Sequence, residues 1–406
     1  MNMRVAGEIV FWLSAAALFY TYVGYPMLIA AISLLRPRRV NRGECLPQVS
    51  VIITAFNEER ALAAKLENTL ALDYPRDLLE VIVASDCSTD RTDEIAKEFA
   101  PRGVKLHRQP ERLGKTAAQN AAIAKASGEV VVFSDATSHY RPDVLKEIVP
   151  NFADEQVGCV GGRLVYVDHH QSDIGRGAKS YWGYETFLKR HESRARSLIG
   201  VSGCLYAVRR SAYVPLENDA CSDFIIATKM VEQGLRTVYE PDAVCTEETN
   251  QRQSNELRMR VRVIAQTFSD LWQHREMLNP FSSGLYGVQL LSHKVMRYFV
   301  PVFLMGLLIM SAGLSTGSLL YRLLFEVQLA GYGFALLALA LEFVGWHSKA
   351  LALPQYFLLA NVAALIAGYQ FVRGERYSCW QPIREGSITR SMNPPLMERR
   401  SEFDKT

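Results

Sequence analysis

Residues 49–56 run Val49-Ser50-Val51-Ile52-Ile53-Thr54-Ala55-Phe56, an almost unbroken apolar stretch that stops at the polar Asn57-Glu58-Glu59. A strand with one wet face alternates apolar and polar side chains, whereas a strand covered on both faces does not. The stretch therefore predicts a buried strand of a parallel sheet. After it, Leu62, Leu66 and Leu70 recur every four residues, the spacing of a helix with one apolar face. The pattern then repeats. Residues 79–85 (Leu79 to Ser85) form a second strand, ended by Asp86-Cys87-Ser88-Thr89-Asp90 and a helix to about residue 99; residues 104–108 form a third. Gly114-Lys115-Thr116 opens an alanine-rich helix to residue 127, and residues 130–134 form a strand that stops at Asp135. Strands alternating with helices of this length imply right-handed βαβ units, whose ligands sit beyond the carboxyl ends of the strands.

The 406 residues are 49% hydrophobic and 21% charged, with a formal net charge of +3. That length suits two regions better than one compact core. High apolar content with low net charge excludes a disordered chain. The 45 Lys and Arg nearly cancel the 42 Asp and Glu, which argues against a nucleic-acid partner. Seven scattered cysteines without a CxxC suit reduced thiols, not a disulfide framework or a zinc site. The histidines show no HExxH spacing.

Charge is segregated along the chain. Residues 9–35 carry none, more than the roughly 20 residues a helix needs to cross hydrocarbon. Arg36, Arg38, Arg39 and Arg42 follow, so the positive-inside bias puts that end in the cytoplasm. A cleaved signal peptide predicts its basic residues on the other side. Gly24-Tyr25-Pro26 predicts a kink. Three more apolar stretches, at about 298–320, 327–346 and 351–371, follow the soluble region. Residues 271–297, with Trp272, Phe281, Tyr286 and Leu290 among polar neighbours, are expected to lie as amphipathic helices in the headgroup layer. The expected organisation is an N-terminal transmembrane anchor (1–42), a soluble α/β domain (43–270), interfacial helices (271–297), transmembrane helices (298–372) and a polar tail (373–406). One conflict stands. If all three later stretches cross, the tail ends outside, yet Arg373, Arg376 and Arg384 favour the inside. Ion-coupled transport is disfavoured, because the apolar stretches lack central charges apart from Glu342 near an end.

The polar residues at the strand ends, Thr54–Glu58, Asp86–Asp90 and Asp135–Thr137, converge on one rim. Such carboxylates suit a sugar, a base edge, or a divalent cation bridging to phosphate. Lys115 at a helix start supplies positive charge for phosphate. No GxGxxG follows the first strand and no GxxxxGK[ST] is present, so a dinucleotide redox enzyme and a P-loop NTPase are both excluded.

In combination these residues resemble the membrane-embedded family 2 glycosyltransferases, relatives of the cellulose, hyaluronan and poly-N-acetylglucosamine synthases. The resemblance covers residue 45 to about 270 and extends to the layout of apolar helices. It implies a GT-A-like nucleotide-binding domain with a mostly parallel sheet, plus one N-terminal and about three C-terminal transmembrane helices. It implies donor binding by Thr54, Ala55, Asn57 and Glu58 in the first strand and by Asp86, which matches the aspartate holding uracil and ribose. Lys115, in Gly114-Lys115-Thr116-Ala117-Ala118-Gln119-Asn120, matches the GKxxAxN segment. Asp135, in Phe133-Ser134-Asp135-Ala136-Thr137, sits where the family keeps its DxD, making it the expected Mg2+ or Mn2+ ligand. Ser202 and Gly203, in Val201 to Ala207, resemble the loop near the acceptor, with Trp182 and Tyr184 as further acceptor-groove candidates. Asp223, in Ser222-Asp223-Phe224, corresponds to the TED element and so to the catalytic base; the bland alternative is a helix cap.

Two departures qualify the resemblance. Thr137 replaces the second aspartate of DxD. The QxxRW of processive synthases is reduced to Leu257-Arg258-Met259-Arg260-Val261, without the tryptophan on which an acceptor sugar stacks. Arg258 and Arg260 are then candidates for the donor diphosphate. The expected activity is inverting hexosyl transfer from a nucleotide-sugar, with a UDP-sugar preferred, to a polysaccharide or a polyprenyl or other lipid-linked acceptor. It is expected at the cytoplasmic face of the inner cell membrane, with exopolysaccharide assembly proteins as partners. The alternative is a non-catalytic membrane assembly protein that retains the nucleotide-binding fold.

Overall fold

The structure is a computed structural model that describes residues 3–167, 173–248, 253–343 and 349–375. His347 and the tail from Arg376, including Arg384, lie outside the described residues. Eight strands are present among the described residues: β1 (Val49–Ala55), β2 (Leu79–Ser85), β3 (Val104–Arg108), β4 (Val130–Asp135), β5 (His139–Tyr140), β6 (Val157–Val167), β7 (Tyr206–Arg209) and β8 (Arg236–Glu248). They form one sheet in the order β3-β2-β1-β4-β7-β6-β8-β5. The β3-β2-β1-β4 half is parallel. β7 runs antiparallel to both β4 and β6, and β8 is parallel to β6. β6 and β8 therefore point the same way as β1 and β4, and all four end on one edge. This is the mostly parallel open sheet expected, with β7 and β5 as its reversed members.

The unbroken apolar run of β1 has a simple cause. Val49, Val51, Ile53 and Ala55 face one layer with Leu62, Leu66, Leu145 and Ile148. Ile52 faces the other with Ala118, Ala122, Phe133 and Tyr206. All seven residues of the strand are buried. Each large side chain so covered contributes about 1.5–3 kcal/mol. The layers are α3 (Leu62–Leu70), α4 (Thr92–Glu98), α5 (Lys115–Ile123), α6 (Val144–Ile148), α7 (Asp173–Ala195) and α8 (Ser222–Glu232), numbered after two N-terminal helices, α1 (Met3–Phe19) and α2 (Tyr25–Leu35).

α1 and α2 join through a π turn at Tyr20–Gly24. Pro26 has no N–H to donate, and it falls in the first turn of α2, where none is needed. After the sheet come α9 (Gln253–Gln273), the short α10 (Pro280–Ser283), α11 (Leu285–Leu290), α12 (Met296–Leu314), α13 (Leu319–Phe343) and α14 (Lys349–Val372). Among the described residues, four helical stretches are long and apolar enough to cross a membrane: Met3–Leu35, Leu285–Gly317, Leu319–Leu341 and Leu353–Val372. The second starts well before residue 298, because α11 runs into α12 through a π turn at Leu291–Val295. Gln289 and His293 are buried there against the soluble domain, Gln289 donating to Glu192 O and Ser197 O and His293 ion-paired with Glu185 and Glu192, while Ser292 meets the Tyr20 hydroxyl.

Candidate active site

Register brings the strand ends together. Thr54 of β1 pairs with Asp135 of β4 and with Ala84 of β2, and Asp86 follows immediately on Ser85, the partner of Ala55. The backbone N–H of Asp86 donates to Ala55 O at 2.9 Å. The result is a pocket lined by Thr54, Ala55, Phe56, Asp86, Lys115 and Asp135. Its floor carries an unsatisfied group: Thr54 Oγ1 is buried and has no hydrogen-bond partner among the described residues. A buried hydroxyl without a partner costs roughly 1–3 kcal/mol, so a polar ligand atom fits there. The Arg112 guanidinium lies 3.8 Å above the Phe56 ring, a cation at the pocket wall that the sequence reading did not single out.

The loops behind this rim are braced by its own polar residues. Asn57 adopts a left-handed φ of 54°. Its Oδ1 accepts from the backbone N–H of Thr89 at 2.6 Å, and the Glu58 N–H donates to Thr92 Oγ1 at 2.7 Å. Asp86 accepts from the N–H groups of Leu113 and Gly114, at 2.9 and 3.0 Å. Gly114 has φ +99°, a conformation that disfavours a side chain, and it turns the chain into α5. Asn57 and Glu58 thus shape the loops behind the pocket without lining it, whereas Asp86 does both.

α5 explains its own motif. Thr116 Oγ1 donates to Ala220 O at 2.8 Å, and Asn120 Nδ2 donates to Leu216 O at 2.7 Å. Both hold the loop that leads into α8, and Asp223 lies in the first turn of α8. Asp223 is not the helix cap: Cys221 occupies that position, and its thiol donates to Asp223 Oδ1 at 2.9 Å. A Cβ built on Gly203 would stand 3.1 Å from both Asp223 Oδ2 and Lys115 Nζ. Glycine is therefore the residue that lets the 202–203 loop approach a carboxylate and an ammonium together. Ser202 Oγ accepts from Lys189 Nζ at 2.9 Å, and Lys189 also lies 5.1 Å above the Trp182 ring.

Lys115 is the hub. Its ammonium is ion-paired with Asp135. Burial alone would lower its pKa, but the carboxylates of Asp135, Asp223 and Glu247 outweigh that and hold it above the ordinary lysine value. Glu247, near the end of β8, was missed in the sequence. Its Oε1 accepts from Thr137 Oγ1 at 3.2 Å. Burial and then Asp135 push its carboxyl up to about 7, with Lys115 pulling the other way. The signal that would have found it is the strand-end rule itself, applied to the run Arg236–Glu248 that closes on two glutamates.

A divalent cation fits this rim. The donors are carboxylate and hydroxyl oxygens, which suit Mg2+ or Mn2+, and the Lys115 ammonium already stands as a cation among three carboxylates.

Other expected residues stand elsewhere. Arg258 is exposed. Arg260 is ion-paired with Glu256 at 2.8 Å and hydrogen-bonded to the Tyr356 hydroxyl. Neither lines the pocket. Trp182 packs edge-on to Tyr166, with ring centroids 5.5 Å apart. Tyr184 sits beneath the Arg297 guanidinium at 5.4 Å. Nearby, Glu185 is ion-paired with Arg297 and lies 3.2 Å from His293 Nε2.

Comparison with known proteins agrees with this geometry. Residues 50–214 match the family described as glycosyl transferase family 2. The chain carries a family 2 glycosyltransferase domain. Its GT-A-like sheet is shared with a mannosyltransferase from Pyrobaculum calidifontis, solved in complex with GDP-Man and Mn2+. The two are 26% identical with a TM-score of 0.68, over 88% of this chain and 99% of that one. Among curated relatives, a beta-monoglucosyldiacylglycerol synthase from Nostoc sp. is 29% identical over 41% of this chain. An N-acetylglucosaminyltransferase from Rhizobium meliloti is 28% identical over 59% of it. The matched stretches span 36% and 60% of those two relatives. The family 2 domain thus ends its matched region inside β7's neighbourhood, and α8 with Asp223 lies beyond it.

Proposed function

We propose that the chain is an inverting, divalent-metal-dependent glycosyltransferase that moves a hexosyl group from a nucleotide-sugar, with a UDP-sugar preferred, to a polysaccharide or lipid-linked acceptor at the cytoplasmic face of the cell membrane. One observation carries this reading: the Asp223 carboxylate faces the Gly203 loop beside Lys115, which is itself bound to Asp135 of the nucleotide pocket. In this reading an anomeric carbon and an acceptor hydroxyl meet between that base and the diphosphate-binding rim.

In the transfer, Asp223 Oδ2 takes the acceptor hydroxyl proton as that oxygen bonds to the anomeric carbon from the face opposite the diphosphate. The bond from the anomeric carbon to the diphosphate oxygen breaks, and the nucleoside diphosphate leaves with the electron pair. Asp135 would hold the metal, which supplies charge neutralisation to the departing diphosphate. Lys115 adds a second cation at the same place. Thr54 and Asp86 seat the nucleotide, and Ser202 and Gly203 border the acceptor side. That side meets the membrane helices: Phe224 of α8 packs with Tyr286 and Leu290 at the start of the second apolar helix. An acceptor held in the bilayer therefore reaches Asp223 without leaving the interface.

The test uses purified full chain in detergent with a panel of UDP- and GDP-sugars and Mn2+, following nucleotide release and the anomeric configuration of the product. Asp223→Asn is expected to lower kcat by about 10²–10⁴-fold with donor affinity retained. Release no faster than in buffer across the panel would leave the assembly-protein alternative standing, and a product of retained configuration would refute the role given to Asp223.

A further inference from the structure

The DxD pattern places two carboxylates on one loop, two residues apart. Here the loop after β4 offers one, Asp135, and Thr137 stands where the second would be. The hydroxyl of Thr137 is not idle: it donates to the Glu247 carboxylate, 110 residues further along the chain, at 3.2 Å. The sheet makes this possible. β8 runs parallel to β6, which points the same way as β4, so the end of β8 arrives on the edge where β4 ends. The adjacent pair His139 and Thr246 in β5 and β8 fixes the height of that arrival.

Charge makes the same connection. The Lys115 ammonium is bound to Asp135 and also feels Glu247 and Asp223, so one cation already sits against carboxylates from three different elements. Two half-buried carboxylates sharing a rim repel each other unless a cation lies between them. Lysine meets that need with a single charge; a divalent ion meets it better and frees Lys115 for a phosphate oxygen.

We propose that Glu247 is the second protein carboxylate of the metal site, exchanged in space for the aspartate that DxD would carry at position 137, with Thr137 as the residue that orients it. This rests on the reading above that Asp135 holds the divalent ion. Chemically the rim then offers two carboxylates to Mg2+ or Mn2+, and the donor diphosphate with water completes the shell.

The experiment measures metal binding directly, by calorimetric titration and electron paramagnetic resonance of Mn2+ added to the purified full chain with excess UDP, and separately with excess GDP. Wild type is expected to bind Mn2+, and Asp135→Asn to lose it. Glu247→Gln should weaken binding by at least about tenfold. The double variant Thr137→Asp with Glu247→Gln, which restores the carboxylate to the loop, should recover affinity to within about threefold of wild type. Glu247→Gln binding as tightly as wild type while Asp135→Asn fails would overturn the role of Glu247 and leave that of Asp135 intact. Unchanged binding in both variants would remove the ion from this rim altogether. A loss in Glu247→Gln that the added aspartate does not repair, with thermal unfolding unchanged, would also defeat the exchange.

Discussion

Thr54 and Asp270 are two buried polar residues whose costs run in opposite directions. Thr54 Oγ1 is buried without a partner, so Thr54→Val removes an unsatisfied group of the same shape and should leave unfolding temperature unchanged or slightly raised. The same change should weaken nucleotide binding by about fivefold, measured by titration with UDP or GDP, because the hydroxyl is the pocket's unused hydrogen-bonding group. Asp270 is buried beneath the loop that leads into α8, where its Oδ2 accepts from the Cys221 N–H at 3.0 Å. Burial is the main cause that pushes its carboxyl up to about 8; Asp219 and Asp223 add to this, and the Cys221 hydrogen bond opposes it. A folded-state pKa raised above the ordinary value of 3.8 means that the protonated form is favoured by folding. Its stabilising share is complete below pH 4 and is lost as pH rises toward 8. Asp270→Asn, which mimics the protonated side chain, should match wild type in unfolding temperature only below about pH 4, where both folded and unfolded wild type are protonated. At pH 9 it should exceed wild type by at least about 2 °C. At this scale the pocket lining was legible wherever a polar side chain ends a strand with a clear apolar run, as with Thr54, Asp86 and Asp135. Glu247 escaped because β8 is long, carries a register shift opposite Gly162 and Arg163, and mixes polar residues into its last third. Arg258 and Arg260, which do not line the pocket, illustrate a different difficulty. A helix face rich in arginine looks alike whether it meets phosphate or, as Arg260 does, a neighbouring tyrosine and glutamate.

Among elements, the contact of α9 with α14 depends on small residues. Ala363, Ala364 and Ala367 of α14 are buried against Val261, Ile264 and Ala265 of α9. Alanine allows two helices this close approach, and a larger side chain has no space to enter. Ala363→Leu should therefore cost about 1–3 kcal/mol and lower the unfolding temperature, whereas Leu365→Ala, on the exposed side of α14, should leave it nearly unchanged. Equal effects of the two would mean that the helices are not packed through this face. The elements of the first half-sheet were readable because a strand covered on both faces has a composition of its own. The second half was not. β7 is four residues long and reverses direction between β4 and β6, and nothing in its sequence tells a short buried strand which neighbours it will join. The motif around Lys115 was legible as chemistry, but its second task, holding the loop before α8 through Thr116 and Asn120, became visible only when those contacts were placed.

For the whole molecule, the conflict over the side of the tail comes down to how α14 lies. The first and second apolar helices run antiparallel and mark the depth of the bilayer. Arg4 reaches Gly317 O at 3.5 Å at one end, and the Tyr20 hydroxyl is 2.7 Å from Ser292 Oγ near the other. About 20 helical residues cross the hydrocarbon, so counting from Arg4 puts the inner boundary near Tyr22 and the start of α12. α14 meets that level part-way along its length and again near its end. Phe357 stands 5.9 Å from Tyr22, and Phe371 stands 5.6 Å from Phe268, which is itself 5.1 Å from Tyr298. Between them α14 packs on α9, which carries the exposed Arg258 and cannot follow a partner through hydrocarbon. Hydropathy does not separate a helix that crosses from one that lies flat against a protein face, and the conflict between three crossings and the arginines of the tail follows from that. α14 is one of the four stretches long and apolar enough to cross; from these contacts it is expected to lie along the inner surface, while Met3–Leu35, Leu285–Gly317 and Leu319–Leu341 cross. Arg373 then falls on the inside, as its charge requires. A green fluorescent protein fused after Gly374 should fluoresce in intact cells, and alkaline phosphatase fused at the same point should be inactive. An active phosphatase would show that α14 crosses, and would place the α9 arginines in a setting that this packing does not allow.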